Sequence, residues 1–175
     1  MKLQSKNQKF ILRPIKLSDL KGYWESMQDK KSRKGFMTTP KTINEAKKEI
    51  KEMINEARKK PVTGECFAII VNGEYAGYVR ISHLNRKYHK HKGEIGYCSH
   101  PKFRGKGLAT KAVKILTNYA FKKHKLKRIE GICRTFNKSS TRVLEKAGFK
   151  LEGILRKNIL KNKRYLDDMI WARVR

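Results

Sequence analysis

Acid is what this chain has least of. Fifteen Asp and Glu stand against forty-four Lys and Arg in 175 residues, a formal charge of +29 at pH 7. A field of that sign attracts polyanions and repels polycations. It is uneven, since residues 101–128 carry ten bases and no acid. Long apolar runs are also missing: nothing approaches the ~20 residues of a membrane-spanning helix, and Met1-Lys2-Leu3-Gln4-Ser5 has no apolar signal core. A soluble, cytoplasmic protein without membrane contact is expected. The three cysteines, Cys66, Cys98 and Cys133, lie far apart in apolar strand-like segments. That pattern fits buried reduced thiols and not a disulfide framework or a zinc site. His89 and His91 share a basic loop with no acidic or thiolate neighbour, so no metal is expected. Linkers, repeats and low-complexity segments are absent from the sequence, and its 38% hydrophobic content suffices for one core. A single domain spanning 1–175 follows.

What is there falls into alternating periods. Phe10-Ile11-Leu12-Arg13-Pro14-Ile15 alternates and stops at proline, as an edge strand does. Ser18-Asp19 is expected to open a helix with Leu20, Tyr23, Trp24 and Met27 on one face. Lys30 to Pro40 reads as a basic loop. Thr42 with Glu45 forms a capping box, and Ile43, Ala46, Ile50, Met53, Ile54 and Ala57 mark the buried stripe of the next helix. After Pro61 and Gly64 the period becomes strand-like, with Cys66–Val71 and Glu74–Leu84 joined by the hairpin signal Asn72-Gly73. A strand carrying Glu94 leads to a long helix with Leu108, Ala112, Ile115, Leu116 and Tyr119 inward and Lys111, Lys114 and Lys122 outward. Arg128–Arg134 is a strand, Asn137–Ala147 a short helix stopped by Gly148, and Lys150–Leu160 with Arg164–Val174 a terminal hairpin.

Between the Glu94 strand and the long helix stands Arg104-Gly105-Lys106-Gly107-Leu108-Ala109. Two glycines two apart let backbone N–H groups converge, and the following helix adds its unpaired N-terminal donors and the positive end of its dipole. Such a loop is either an ordinary helix start or a pyrophosphate cradle. The Walker pattern and G-x-G-x-x-G are both excluded, since no Lys-Ser/Thr follows the second glycine and Thr110 follows Ala109.

This loop, together with the segment Asn137-Lys138-Ser139-Ser140-Thr141-Arg142-Val143-Leu144-Glu145-Lys146-Ala147-Gly148-Phe149-Lys150-Leu151-Glu152-Gly153, resembles the GNAT superfamily of acetyl-CoA-dependent N-acetyltransferases. The loop matches that family's R/Q-x-x-G-x-G/A motif. The longer segment is similar to the signature of its Rim-type branch, which includes ribosomal-protein N-terminal acetyltransferases. Leu12-Arg13-Pro14, Ser18-Asp19 and Asp167-Asp168 fit as well, so the resemblance covers nearly the whole chain. It implies an α/β fold, a mixed sheet of about seven strands flanked by about four helices. It also implies that backbone groups of Tyr97, Cys98 and Ser99 run beside the pantetheine arm of acetyl-CoA where two strands splay apart. Backbone N–H groups of Arg104, Gly105, Lys106, Gly107, Leu108 and Ala109 would hold the pyrophosphate. Asn137 and Ser140, one turn apart, would face the thioester end.

Acetyl transfer needs donors for the carbonyl oxygen, a group to take the amine's proton and one to protonate the departing sulfur. By the resemblance Glu94 is the candidate base and Ser140 the candidate acid. Each also has a plain structural reading: Ser140 as a first-turn polar residue, Asn137 as an N-cap, Glu94 as a partner for a lysine. Many family members carry a tyrosine acid where this chain has Leu144, which cannot donate a proton; Ser140 then replaces it, or a free thiolate leaves. The acceptor is expected to be a protein N-terminal α-amine, whose pKa near 8 leaves much of it neutral, with a polyamine or other small amine as the alternative. A non-catalytic RNA- or ribosome-binding module is a second alternative. The basic surface reflects either ribosome association or a lysine-rich composition, and both monomer and homodimer are open.

Overall fold

The change of period after Pro61 marks where the sheet begins in earnest. The computed structural model describes residues 3–4 and 10–175; of the N-terminal stretch read for a signal core, only Leu3 and Gln4 lie among them. Strand β1 (Leu3–Gln4) pairs with β2 (Phe10–Pro14), β2 with β3 (Glu65–Val71), and β3 with β4 (Glu74–Ser82), all antiparallel. Asn72 and Gly73 take φ of 49° and 83°, the left-handed pair of a type I′ turn that matches strand twist. Strand β2 is therefore not quite the sheet's edge, because β1 lies outside it. Then come β5 (Lys92–Ser99), α4 (Leu108–Lys123), β6 (Arg128–Arg134), α5 (Lys138–Lys146), β7 (Lys150–Lys161) and β8 (Arg164–Val174). Among the described residues eight strands run in the order β1-β2-β3-β4-β5-β6-β8-β7. This is the mixed α/β sheet expected from the sequence, with helices on both faces. No described helix is long and apolar enough to cross a membrane.

Each face of the sheet carries its own apolar cluster. Helices α1 (Leu20–Gln28) and α3 (Ile43–Arg58) bury Tyr23, Met27, Ala46, Ile50 and Met53 against Cys66, Tyr78 and Cys98. On the opposite face α4 and α5 bury Ala112, Val113, Leu116, Ala120 and Leu144 against Phe67, Ile69, Val79, Ile81, Ile95 and Trp171. At about 1.5–3 kcal/mol for each large side chain buried, these two layers are the main source of stability. Helix α3 is narrower than its stripe suggests, since Ile43 remains 49% exposed. Its cap forms, Glu45 N–H donating to Thr42 Oγ1 at 3.2 Å, while the Glu45 carboxylate accepts from Lys41 N–H at 2.7 Å.

One local reading holds with a different bond behind it, and one is corrected. Helix α1 opens after Ser18-Asp19 as expected, but the Asp19 side chain makes no cap bond; a 3-10 turn (Leu17–Asp19) precedes the helix, and the buried carboxylate takes both Arg13 guanidinium nitrogens, at 2.6 and 2.8 Å, and the Lys16 N–H at 2.8 Å. A bidentate charge-assisted pair is stronger than a neutral cap. The basic segment after Asp29 is not all loop, because Lys30–Gly35 forms a short helix, α2. Asp29 Oδ2 starts it by accepting from the N–H groups of Lys31 at 3.0 Å and Ser32 at 3.1 Å.

The feature that shapes the site is a parallel ladder that stops early. Strands β5 and β6 pair at Lys92↔Arg128, Gly93↔Ile129 and Glu94↔Glu130. Beyond Glu94, β5 follows β4 as far as the pair Gly77↔Ser99, while β6 follows β8 as far as Arg134↔Asp168. Committed to opposite neighbours, the two strands diverge and a cleft opens through the sheet. The β7–β8 hairpin outruns β6 and reaches back to α2, where Lys161 Nζ donates to the carbonyls of Arg33 at 2.7 Å and Phe36 at 2.5 Å.

Helix α5 rests directly on β6 at Gly131, where a methyl group would lie 2.7 Å from Leu144 Cδ2 and 3.2 Å from Ile95 Cγ2. Gly131→Ala is expected to push α5 off the sheet at a cost of about 1–3 kcal/mol, the usual penalty of overpacking. A urea titration checks this; an unchanged midpoint would show that α5 is not seated by this contact.

Candidate active site

The glycine loop adopts the geometry an anion cradle requires. Gly105 and Gly107 have φ of 78° and 70°, and a methyl group at either would meet nothing within 4 Å. Glycine is needed there for its backbone and not for space. Gly107 is the N-cap of α4 and supplies no side chain, so the N–H groups of Leu108 and Ala109 begin the helix without intrahelical acceptors and at the positive end of its dipole. A pyrophosphate fits such a turn.

Arg104 plays a different part from the one its place in the motif suggests. Its N–H donates to the Pro101 carbonyl at 3.3 Å, and its guanidinium donates to Asp29 Oδ2 at 2.6 Å and Ser32 Oγ at 3.1 Å. Ser32 Oγ in turn lies 3.6 Å from Cys98 Sγ. One arginine thus ties the loop to the start of α2 and to the end of β5. Lys106 arches over the Phe103 ring, its Nζ 5.3 Å from the centroid.

Along the cleft, strand alternation decides which backbone groups are available. His100 N–H donates to the Ala76 carbonyl at 2.9 Å, so the N–H and C=O of Cys98, two residues back, turn toward β4 as well. Those of Tyr97 and Ser99 turn toward the cleft. The Cys98 thiol packs on the α1–α3 face, where burial pushes its pKa up to about 11; burial takes Cys66 up to about 12 and also raises Cys133. All three thiols are free and buried.

Ser140 lies in the first turn of α5. Asn137 is the cap of that helix, its Oδ1 accepting from Ser140 N–H at 3.2 Å and from Ser139 Oγ at 2.8 Å. The partner of Ser140 is one that sequence reasoning missed. The Tyr97 hydroxyl lies 2.6 Å from Ser140 Oγ and 3.1 Å from the Ser140 carbonyl. Burial raises the phenol's pKa and the Ser140 contact partly offsets it, so Tyr97 stays protonated. The available signal was the period of two, which places Tyr97 beside Ile95 on the α4–α5 face. Leu144, 1% exposed, is a packing residue against Gly131.

Glu94 alternates onto the other face, that of Cys98, α1 and α3. Its Oε2 is 3.1 Å from His83 Nδ1, and its side chain is 31% exposed. Glu130, its partner across the ladder, is occupied by Lys92 at 3.1 Å and Arg128 at 2.8 Å. Burial would raise the Glu130 pKa, but these two donors outweigh it and hold it below the ordinary carboxylate range. The cleft therefore has Tyr97 and Ser140 on one side of the sheet and Glu94 with His83 on the other. His89 and His91 stand apart with ring centroids 6.4 Å from each other. The described residues contain no group of three or more His, Cys, Asp or Glu arranged to hold a metal.

The Asp29–Arg104 pair gives the loop a pH dependence. The Arg104 hydrogen bond chiefly holds the Asp29 carboxylate below its usual pKa. Its contribution is complete above the unfolded value of about 3.9 and is lost as pH falls through the lower folded value. Asp29→Asn is expected to melt below the parent at pH 6, with the gap narrowing below about pH 4. A gap that stays constant in melting curves from pH 6 to pH 3 would exclude the charge as the cause.

A family model described as the acetyltransferase (GNAT) domain matches residues 9–150. The probable N-acetyltransferase YjcK of Bacillus subtilis is 46% identical over 78 residues, covering 45% of this chain and 43% of that protein. The spermidine N(1)-acetyltransferase of Escherichia coli K12 is 30% identical over 99 residues, 57% of this chain and 52% of that protein. The matched stretches thus span about half the length of these curated relatives. Over almost the full length, the fold superposes on RimL, a ribosomal L7/L12 alpha-N-protein acetyltransferase in complex with coenzyme A, with a TM-score of 0.87 at 18% identity, covering 99% of this chain and 98% of that one. With a glycine cradle at the head of α4, a cleft where β5 leaves β6, and a family match over most of its length, the chain belongs to the GNAT family of acetyltransferase domains.

Proposed function

We propose that the chain transfers an acetyl group from acetyl-CoA to the N-terminal α-amine of a polypeptide. Acetyl-CoA supplies the acetyl group already activated as a thioester. The cradle from Gly105 to Ala109 holds the pyrophosphate, and the cleft-facing groups of Tyr97 and Ser99 align the arm, with a backbone N–H for the carbonyl oxygen. Glu94 accepts the amine's proton from the α1–α3 side. The amine nitrogen bonds the acetyl carbon and the C–S bond breaks; from the other side Ser140 gives its proton to the departing sulfur and regains one from water, while the Tyr97 hydroxyl turns its hydrogen from the Ser140 carbonyl to the serine oxygen as charge develops there. Tyr97 thus supports the acid whose place in other family members is filled by a tyrosine at the position of Leu144.

The observation that favours a polypeptide over a polyamine is the charge around the Glu94 side of the cleft. Helix α2 carries Lys30, Lys31, Arg33 and Lys34, and the tip of the β7–β8 hairpin carries Lys161, Lys163 and Arg164. The nearby carboxylates already have partners: Asp29 with Arg104, Asp168 with Arg134 and Asn158, and Asp167 with the Lys157 N–H. A tri- or tetracation meets repulsion there, whereas a peptide N-terminus brings one charge and sheds it near pH 8. The +29 charge also supports docking on an anionic body such as ribosomal RNA close to the acceptor.

An acceptor screen that follows thiol release tests this reading, using peptides with free N-termini, the same peptides with blocked N-termini and an internal lysine, and spermidine. Release is expected with the free N-termini alone. Faster turnover of spermidine would overturn the acceptor class, and no release with any amine would favour a non-catalytic module. Within the active pair, Ser140→Ala is expected to lower turnover by about a hundredfold or more with little change in acetyl-CoA affinity. Tyr97→Phe should cost about tenfold, the worth of one hydrogen bond. Full turnover in Ser140→Ala would remove the serine from the mechanism.

A further inference from the structure

His83 sits where β4 ends, next to Ser82, the register partner of Glu94. Were the strand to continue, His83 would point to the face opposite Glu94. Its φ is instead 60°, a left-handed conformation that is uncommon outside glycine and that histidine tolerates better than most residues. Breaking the alternation at this residue brings the imidazole round to the Glu94 face, with Nδ1 3.1 Å from Oε2. Strained backbone of this kind persists where the surroundings fix it, and it gathers at working sites.

We propose that His83 is a positioning residue for Glu94, an inference that rests on the reading of Glu94 as the base. The neutral imidazole donates Nδ1–H to Oε2, which fixes the carboxylate plane and leaves Oε1 for the acceptor amine. The proton passes from the amine nitrogen to Oε1 and then to water, and the imidazole keeps its own proton throughout.

The other charged groups on this face are committed elsewhere. On β5 and β6, Lys92 and Arg128 hold Glu130, the ladder neighbour of Glu94. On β4, Arg80 pairs with Glu56 of α3 at 3.2 Å. His83 is thus the one side chain in hydrogen-bond contact with the Glu94 carboxylate among the described residues.

The experiment compares kcat/KM and melting temperature for the parent, His83→Ala, His83→Asn and Glu94→Gln, with a peptide acceptor that supports turnover. Asparagine keeps an N–H donor and tolerates the left-handed backbone, so His83→Asn should retain most of the rate. His83→Ala should lose about ten- to a hundredfold, the worth of a hydrogen bond to a charged group, with acetyl-CoA binding unchanged. Losses of rate that are equal in the two variants, or that follow a loss of melting temperature, mark a purely structural role and overturn the inference. If Glu94→Gln is inactive while both His83 variants match the parent, the positioning role fails alone. If Glu94→Gln keeps full activity, the base assignment fails and this inference with it.

Discussion

Three backbone pairs between β5 and β6, and no more, are the constraint on which the rest depends. A parallel ladder that continued would consume the N–H and C=O groups of Tyr97 and Ser99 and close the sheet. Each strand is drawn away by a longer antiparallel partnership, β5 by β4 and β6 by β8. The opening is therefore a result of strand pairing and not of missing residues. On one face of the sheet beside it the chain places both the cradle at the head of α4 and the short helix α5. It seats that helix by shaving a side chain from Gly131 so that Leu144 can lie flat on β6.

Scarcity of acid explains much of the remaining architecture. With fifteen carboxylates against forty-four bases, most acids near the sheet are used inside the scaffold. Asp19 fastens Arg13, Asp29 fastens Arg104 to α2, Glu130 is held between Lys92 and Arg128, and Asp168 is buried against Arg134. Such pairs add little net stability when desolvation is counted, but breaking one leaves a charge stranded, so they specify position. Glu94 is met instead by a histidine, His83, and no fixed cation is in hydrogen-bond contact with it among the described residues.

The sheet and its long helices were legible because they obey period and turn rules that short-range chemistry imposes. Asn72-Gly73 announced its hairpin, the middle of the α3 stripe (Ala46, Ile50 and Met53) is buried as expected although Ile43 and Ala57 at its ends are not, and the glycines before α4 were found where they were expected. The cradle and the Asn137-to-Gly153 segment pointed to the family. What remained hidden depends on contacts between residues far apart in sequence. Helix α2 is polar all round and has no periodicity to reveal it; the Asp29 cap with its bond to Arg104, seventy-five residues on, and the Lys161 bonds to the Arg33 and Phe36 carbonyls hold it. Tyr97 was read for its backbone alone, because nothing local indicates that its hydroxyl meets Ser140. His83 was passed over because a strand pattern points it the wrong way, and a single left-handed residue reverses that. Asp19, read as a cap, answered to a stronger partner across a turn.

The buried thiol of Cys98 has a consequence for the proposed reaction with a thioester. Sulfur attacks an acyl thioester as its thiolate, so a cysteine beside the donor could take the acetyl group onto itself and leave the amine unmodified. Cys98 lies on the strand that lines the cleft, yet its thiol is packed beneath α1 and α2 with its pKa pushed up to about 11. At neutral pH roughly one molecule in ten thousand then carries that thiolate. The burial that adds this sulfur to the core thus also keeps the Cys98 thiol from competing with the acceptor amine in the proposed reaction.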